Sequence, residues 1–178
     1  MQNRLEEAYS YFLRAVELAP TNSNAQLHLA MELARRGKSA EAAAHYRLAV
    51  KYGHDLVMGM NNLAWLLALD GKADESLEIL ETAIRQRGEL AELLDTRAVA
   101  YLMKGRHALA VADMQDAIAE APTDHRYFHL AQAHLRAGNA GAASAALIKA
   151  KELGLTEFSV DPLERPAYHQ LLAKLDQR

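Results

Sequence analysis

The sequence predicts an all-α solenoid of stacked helical hairpins, and two periodic observations predict it. Gly37, Gly71, Gly105 and Gly138 follow one another at steps of 34, 34 and 33 residues, a regularity that points to a repeated structural unit. Behind each glycine the same small, large, small triplet recurs at helical spacing: Ala42, Tyr46 and Ala49; Ser76, Leu80 and Ala83; Ala110, Met114 and Ala117; Ala143, Leu147 and Ala150. Ahead of each glycine lies a second apolar pattern of helical period: Leu29, Ala30 and Leu33; Leu63, Ala64 and Leu67; Ala98 and Tyr101; Leu130, Ala131 and His134.

Close packing explains the triplets. Two antiparallel helices approach closely only where side chains are small, and the larger residue between fills the remaining space. The glycine supplies the left-handed residue that ends the first helix, and the second helix begins two or three residues later. One such hairpin cannot bury both its faces, so successive hairpins stack.

Taken in order, residues 1–22 are predicted to form the second helix of an incomplete repeat, with Ala8, Phe12, Ala15 and Pro20 at second-helix spacing. Either the chain is cut from a larger protein, the favoured reading, or this helix shows an apolar flank that another copy covers. Four full repeats are expected over 23–56, 57–90, 91–123 and 124–155. Residues 156–178 then break the period with Pro162 and Pro166 and end in an amphipathic capping helix from Pro166 to Gln177. Its Tyr168, Leu171, Leu172 and Leu175 should face the fourth hairpin, and Lys174 and Arg178 suit its C-terminal end.

These residues resemble the tetratricopeptide repeat family, whose pattern has small residues at its eighth, twentieth and twenty-seventh places and often proline at its thirty-second. Pro20 and Pro122 take that last place. His54, Gly88 and Leu155 depart from it, and there Gly53, Gly88 and Gly154 can end the second helix instead. The resemblance implies a right-handed superhelical α-solenoid of helix-turn-helix hairpins whose first helices line a concave groove. It also implies that the second, fifth, sixth and ninth places of each first helix point into that groove. Here those places are Asn24, Leu27, His28 and Met31; Met58, Asn61, Asn62 and Trp65; Glu92, Asp95, Thr96 and Val99; and His125, Phe128, His129 and Gln132.

That set mixes amides, aromatics, methionines and imidazoles, which suits a peptide with apolar anchors and exposed backbone. The Asn62 amide could donate to and accept from an extended backbone at once, or stand as an ordinary surface asparagine. Trp65, the only tryptophan, is either an interface anchor or a side chain packed between first helices. His125 and His129, four apart, could hold a metal with Asp95, but two histidines without a third ligand of set geometry are no metal site, and none is expected. Glu92 with Asp95 reads as a solvated acidic patch and not as a catalytic carboxylate pair.

Some family members grip a peptide's terminal carboxylate with a clamp of basic and asparagine side chains, and Asn62 fits its middle hairpin. Leu27, Met31, Glu92 and Thr96 stand where those groups would be needed, so that function is not expected. The segments Asn61-Asn62-Leu63-Ala64-Trp65-Leu66-Leu67-Ala68 and Leu163-Glu164-Arg165-Pro166-Ala167-Tyr168 are similar to bacterial tetratricopeptide proteins, some associated with exopolysaccharide export and surface-protein sorting. The likeness implies an assembly scaffold and no reaction.

Composition bounds the remaining classes. With 51% hydrophobic and 24% charged residues the chain is an ordinary folded protein, expected to be soluble. Twenty basic against 23 acidic residues, a net charge of -3, gives no field to attract a phosphate backbone, so nucleic acid is not an expected partner. No basic-then-apolar leader and no bilayer-length apolar run is present, and membrane insertion is not expected; a cytoplasmic location is favoured over a periplasmic one. With no cysteine, disulfides and thiolate metal sites are impossible. No phosphate-cradling loop, zinc-hydrolase motif or nucleophile beside a base is found, and neither enzymatic activity nor a cofactor is expected. The expected function is a scaffold for a protein or peptide ligand, with self-assembly through residues 1–20 as the alternative.

Overall fold

The computed structural model describes residues 2–53 and 56–176; His54, Gln177 and Arg178, named above, lie outside them. The described residues form ten α-helices and no strand: α1 (Gln2–Leu18), α2 (Ser23–Arg35), α3 (Ser39–Tyr52), α4 (Val57–Leu69), α5 (Ala73–Arg87), α6 (Ala91–Met103), α7 (His107–Glu120), α8 (Asp124–Arg136), α9 (Ala140–Glu152) and α10 (Arg165–Asp176). Helices α2 with α3, α4 with α5, α6 with α7 and α8 with α9 pack as hairpins, and each second helix also packs on the first helix of the next pair.

The hairpin turns repeat at atomic level. Gly37, Gly71, Gly105 and Gly138 have φ of 75°, 77°, 70° and 84°, a region that side chains with a Cβ resist. Each turn closes with the same two backbone bonds: Gly37 N–H donates to Ala34 O at 2.9 Å and Lys38 N–H to Leu33 O at 2.9 Å, and the equivalents recur at the other three. This paired arrangement satisfies the orphan carbonyls of the first helix while reversing the chain.

The small residues sit where helices touch. Ala30, Ala64, Ala98 and Ala131 on first helices, and Ala42, Ser76, Ala110 and Ala143 on second helices, are fully buried. Ser76, the polar exception, donates its hydroxyl to Ala64 O at 2.7 Å, so its burial leaves no unsatisfied group.

Gly53 ends α3, but by a different route from the turn glycines. Its φ is -95°, open to any residue. A Cβ there would stand 2.8 Å from Ala49 O and 3.0 Å from Ser23 Cβ, so the missing side chain lets the end of α3 reach the start of α2. Gly88 and Gly154 do take positive φ, 84° and 106°.

At the start, Tyr9, Phe12 and Val16 of α1 pack against the α2/α3 hairpin, and Phe12 stacks on His28 with centroids 5.1 Å apart. Tyr11 and Leu18 face outward. At the other end Tyr168 and Leu171 of α10 are buried in the core of the last two hairpins, and Tyr168 meets Phe128 edge-on at 5.8 Å. No helix among the described residues is long and apolar enough to cross a membrane.

Candidate functional site

The concave face is lined by α2, α4, α6 and α8, and it is not open along its whole length. Residues 156–164, between α9 and α10, form a strap across it. Leu155 and Val160, 5% and 1% exposed, anchor the strap in the core. Thr156 and Ser159 bond each other through backbone and hydroxyl groups, and Asp161 Oδ1 accepts from Leu163 N–H at 2.8 Å. The strap divides the face into two cavities. One, about 460 Å³, lies between α2, α3, α4 and strap residues Asp161, Pro162 and Leu163. The other, about 410 Å³, lies between α4, α6, α8 and strap residues Ser159, Asp161 and Glu164.

His125 and His129, one helical turn apart on α8, hold the strap down. His125 Nε2 donates to the Ser159 carbonyl at 2.8 Å, and its Nδ1 lies 2.8 Å from Asp124 Oδ1. His129 is 2% exposed, with Nδ1 2.6 Å from Asp95 Oδ1 and Nε2 3.1 Å from Glu164 Oε1. Burial alone would push its pKa down, but the Glu164 and Asp95 carboxylates outweigh burial and raise it to about 10. The imidazolium then donates to both carboxylates. Trp65 lies beside it, ring centroids 5.6 Å apart, within reach of a cation–π contact.

The sixteen groove places fall into four groups. Met31, Asn61, Asn62 and Trp65, together with Glu92, Asp95, Thr96, His125 and His129, line the two cavities. Leu27, Val99 and Phe128, at most 3% exposed, are packed in the core. Gln132 is buried in a small crevice beside α10. Asn24, His28 and Met58 line neither cavity. The strap and α10 cover His129 and Gln132 at the α8 end of the face, where Glu164 bonds His129 and Gln132 shares its crevice with Leu171.

Asn62 has its amide partly engaged, Nδ2 donating to Tyr46 Oη at 3.3 Å, and Tyr46 has its hydroxyl pKa pushed up by burial, an effect the Asn62 bond opposes. Trp65 is half-buried: it packs against two core clusters, as the packing reading expects, and it also walls both cavities. Among the described residues no three His, Asp or Glu side chains gather as metal ligands, and the nitrogens of the His125–His129 pair are engaged by protein acceptors.

Sequence reasoning did not find Ser159, Asp161, Pro162, Leu163 and Glu164 as groove residues, because they lie outside the 34-residue period. The nearest signal was the histidine pair, whose partners had to come from somewhere.

A fold of stacked hairpins with this concave face defines a class of repeat protein, and comparison supplies its name. The family model described as tetratricopeptide repeat matches residues 2–22. Among solved structures, a thermophilic TPR protein from Thermus thermophilus is similar over 97% of this chain and 92% of its own, at 23% identity and a TM-score of 0.73. MamA from Desulfovibrio magneticus is similar over 84% of this chain and 85% of its own, at 19% identity and a TM-score of 0.70. YrrB, described as a TPR protein with an unusual peptide-binding site, is similar over 99% of this chain and 85% of its own, at 16% identity and a TM-score of 0.68. Comparison with curated proteins finds no match. The chain has the tetratricopeptide-repeat fold, and its first helix carries the family's sequence pattern.

Proposed function

We propose that the chain is a non-enzymatic scaffold that holds an extended segment of a protein partner along the part of its concave face left open beside the strap. The carrying observation is the cavity of about 460 Å³ between α2, α4 and the strap. Its wall combines Met31, Trp65, Leu66 and Leu163 with the Asn62 amide and the Tyr46 hydroxyl. Apolar anchors beside a few oriented polar groups are what a peptide with exposed backbone needs. The description of YrrB as a peptide binder supports the reading by fold analogy. The bacterial assembly role implied by the sequence likeness is compatible with it.

The test is capture of partners from native lysate with mass-spectrometric identification, repeated with Asn62→Ala and Met31→Ala. Neither side chain is fully buried, so both variants should melt close to the parent. A partner held by the parent and lost by both variants supports the reading. A partner retained at full strength by both moves recognition elsewhere.

Tyr11 and Leu18 on α1, 74% and 71% exposed, favour a second reading, association of copies through α1. Sedimentation across a concentration series, with a Tyr11→Lys, Leu18→Lys chain as control, decides it.

A further inference from the structure

The strap lies across the concave face where a bound segment would lie, and much of its own hydrogen bonding is internal. Thr156 and Ser159 bond each other three times, Val160 N–H donates to Thr156 O at 3.3 Å, and Glu164 N–H donates to Asp161 O at 2.8 Å. A backbone satisfied locally gives up few of its bonds when it lifts. Leu155 before the strap and Tyr168 after it are buried in the core of the last two hairpins. The segment between them can therefore rise as a flap tethered at both ends, with every repeat still stacked.

The closed position is also incompletely packed. Cavities of about 460 and 410 Å³ remain on either side of the strap. Its Phe158 and Leu163 stay 89% and 48% exposed, so they add little to closure. The contacts that hold it on α8 are those a separate peptide could make: the Ser159 carbonyl on His125 Nε2 and the Glu164 carboxylate on His129 Nε2, with Val160 buried between. Lifting the strap leaves His129 with Asp95 alone and opens a seat beside a buried cation that calls for a second carboxylate.

We propose that the strap is a built-in competitor for the partner's segment: it lifts as a unit, and its seat is taken by a segment that brings a carboxylate side chain to His129 and an adjoining apolar side chain into the larger cavity. This deepens the peptide-scaffold reading, naming the regulation of that groove and the charge of its partner, and rests on it. A tethered competitor acts at an effective concentration of about millimolar. The partner overcomes it by filling the cavity that Leu163 only rims.

The probe is the strap's own sequence supplied in trans, a terminally blocked peptide spanning Thr156 to Arg165. It is titrated to millimolar concentration into the full chain and into a Val160→Ala, Glu164→Gln chain, in which the tethered strap is weakened while His125 and His129 are untouched. Trp65, the only tryptophan, walls both cavities, so its single indole N–H resonance reports occupation. The weakened chain should bind the peptide about tenfold or more tightly than the parent, and a peptide carrying Glu164→Gln should bind it about tenfold more weakly, as loss of a charge-assisted bond implies. No binding by a weakened chain that keeps its helical circular dichroism, or equal binding of the two peptides, overturns the competitor. Should the weakened chain lose its helices, hydrogen exchange on the parent decides. Val160 and Glu164 amides exchanging together ahead of those of α8 support a lifting strap, and protection equal to that of α8 overturns it. A lysate partner lost on Asn62→Ala yet held equally by parent and weakened chain overturns the strap's role and leaves the groove standing. If Asn62→Ala costs the chain no partner, the groove reading itself falls.

Discussion

His129 joins three parts of the chain that are far apart in sequence, donating to Asp95 of α6 and Glu164 of the strap while lying beside Trp65 of α4. Its pKa, lowered by burial but raised further by the two carboxylates, is about 10 in the folded chain, against about 6.5 for an unperturbed histidine. Between those values the folded chain keeps a proton that the unfolded chain has released. Stability from this group is therefore complete below about pH 6.5 and is lost as pH rises towards 10. Thermal melts from pH 6 to 10 should show a falling Tm, with a flatter profile and a lower overall Tm in His129→Gln, where two carboxylates lose their shared cation. A parent Tm unchanged across that range would show the ring to be neutral. The register of the repeats had already set Asp95 near His129, since both occupy inward places on neighbouring first helices. Glu164 was not legible, because nothing in a 34-residue period positions a residue that follows the last repeat.

At the scale of the element, two glycines do opposite things and should answer differently to the same substitution. Gly37 has φ of 75° with open space around it, so Gly37→Ala should cost about 1 kcal/mol through backbone strain alone. Gly53 has ordinary φ, but an added Cβ would meet Ala49 O and Ser23 Cβ at once. Gly53→Ala should cost about 1–3 kcal/mol, the range typical of overpacking, and should loosen the seam between α2 and α3. Chemical denaturation of the two variants measures both costs, and a smaller loss at Gly53 would show that the seam relaxes freely. The turn glycines were readable because each punctuates a helix pattern at fixed spacing. The role of Gly53 was not, because a close approach between helix ends depends on the three-dimensional path and leaves no periodic mark.

For the whole molecule, stability in a stack of hairpins is distributed locally, each unit leaning on its neighbours. Helix α1 packs chiefly on α2, whereas α6 packs on α4, α5, α7 and α8. Hydrogen exchange should accordingly be fastest in α1 and slowest in α6 and its neighbours, with amide protection differing by about tenfold for each 1.4 kcal/mol of local stability. Uniform protection along the chain would show that the stack opens as one unit. The helix order of the array followed from the glycine spacing and the alanine triplets, since hairpins bury their faces only by repeating. What lay beyond them was the return of the chain over its own inner side, a path fixed by Val160 and Glu164 finding places that the repeats leave open.

That return turns a coil into a latched one. Leu163, from the far end of the chain, shares walls with Ser39 and Leu66 near the beginning, so the bore is bridged across its mouth. A free spring of hairpins widens under load; one with a clasp keeps its gauge. In the peptide-holding role proposed above, such a clasp would pass a slender thread and turn away a bulky globular body.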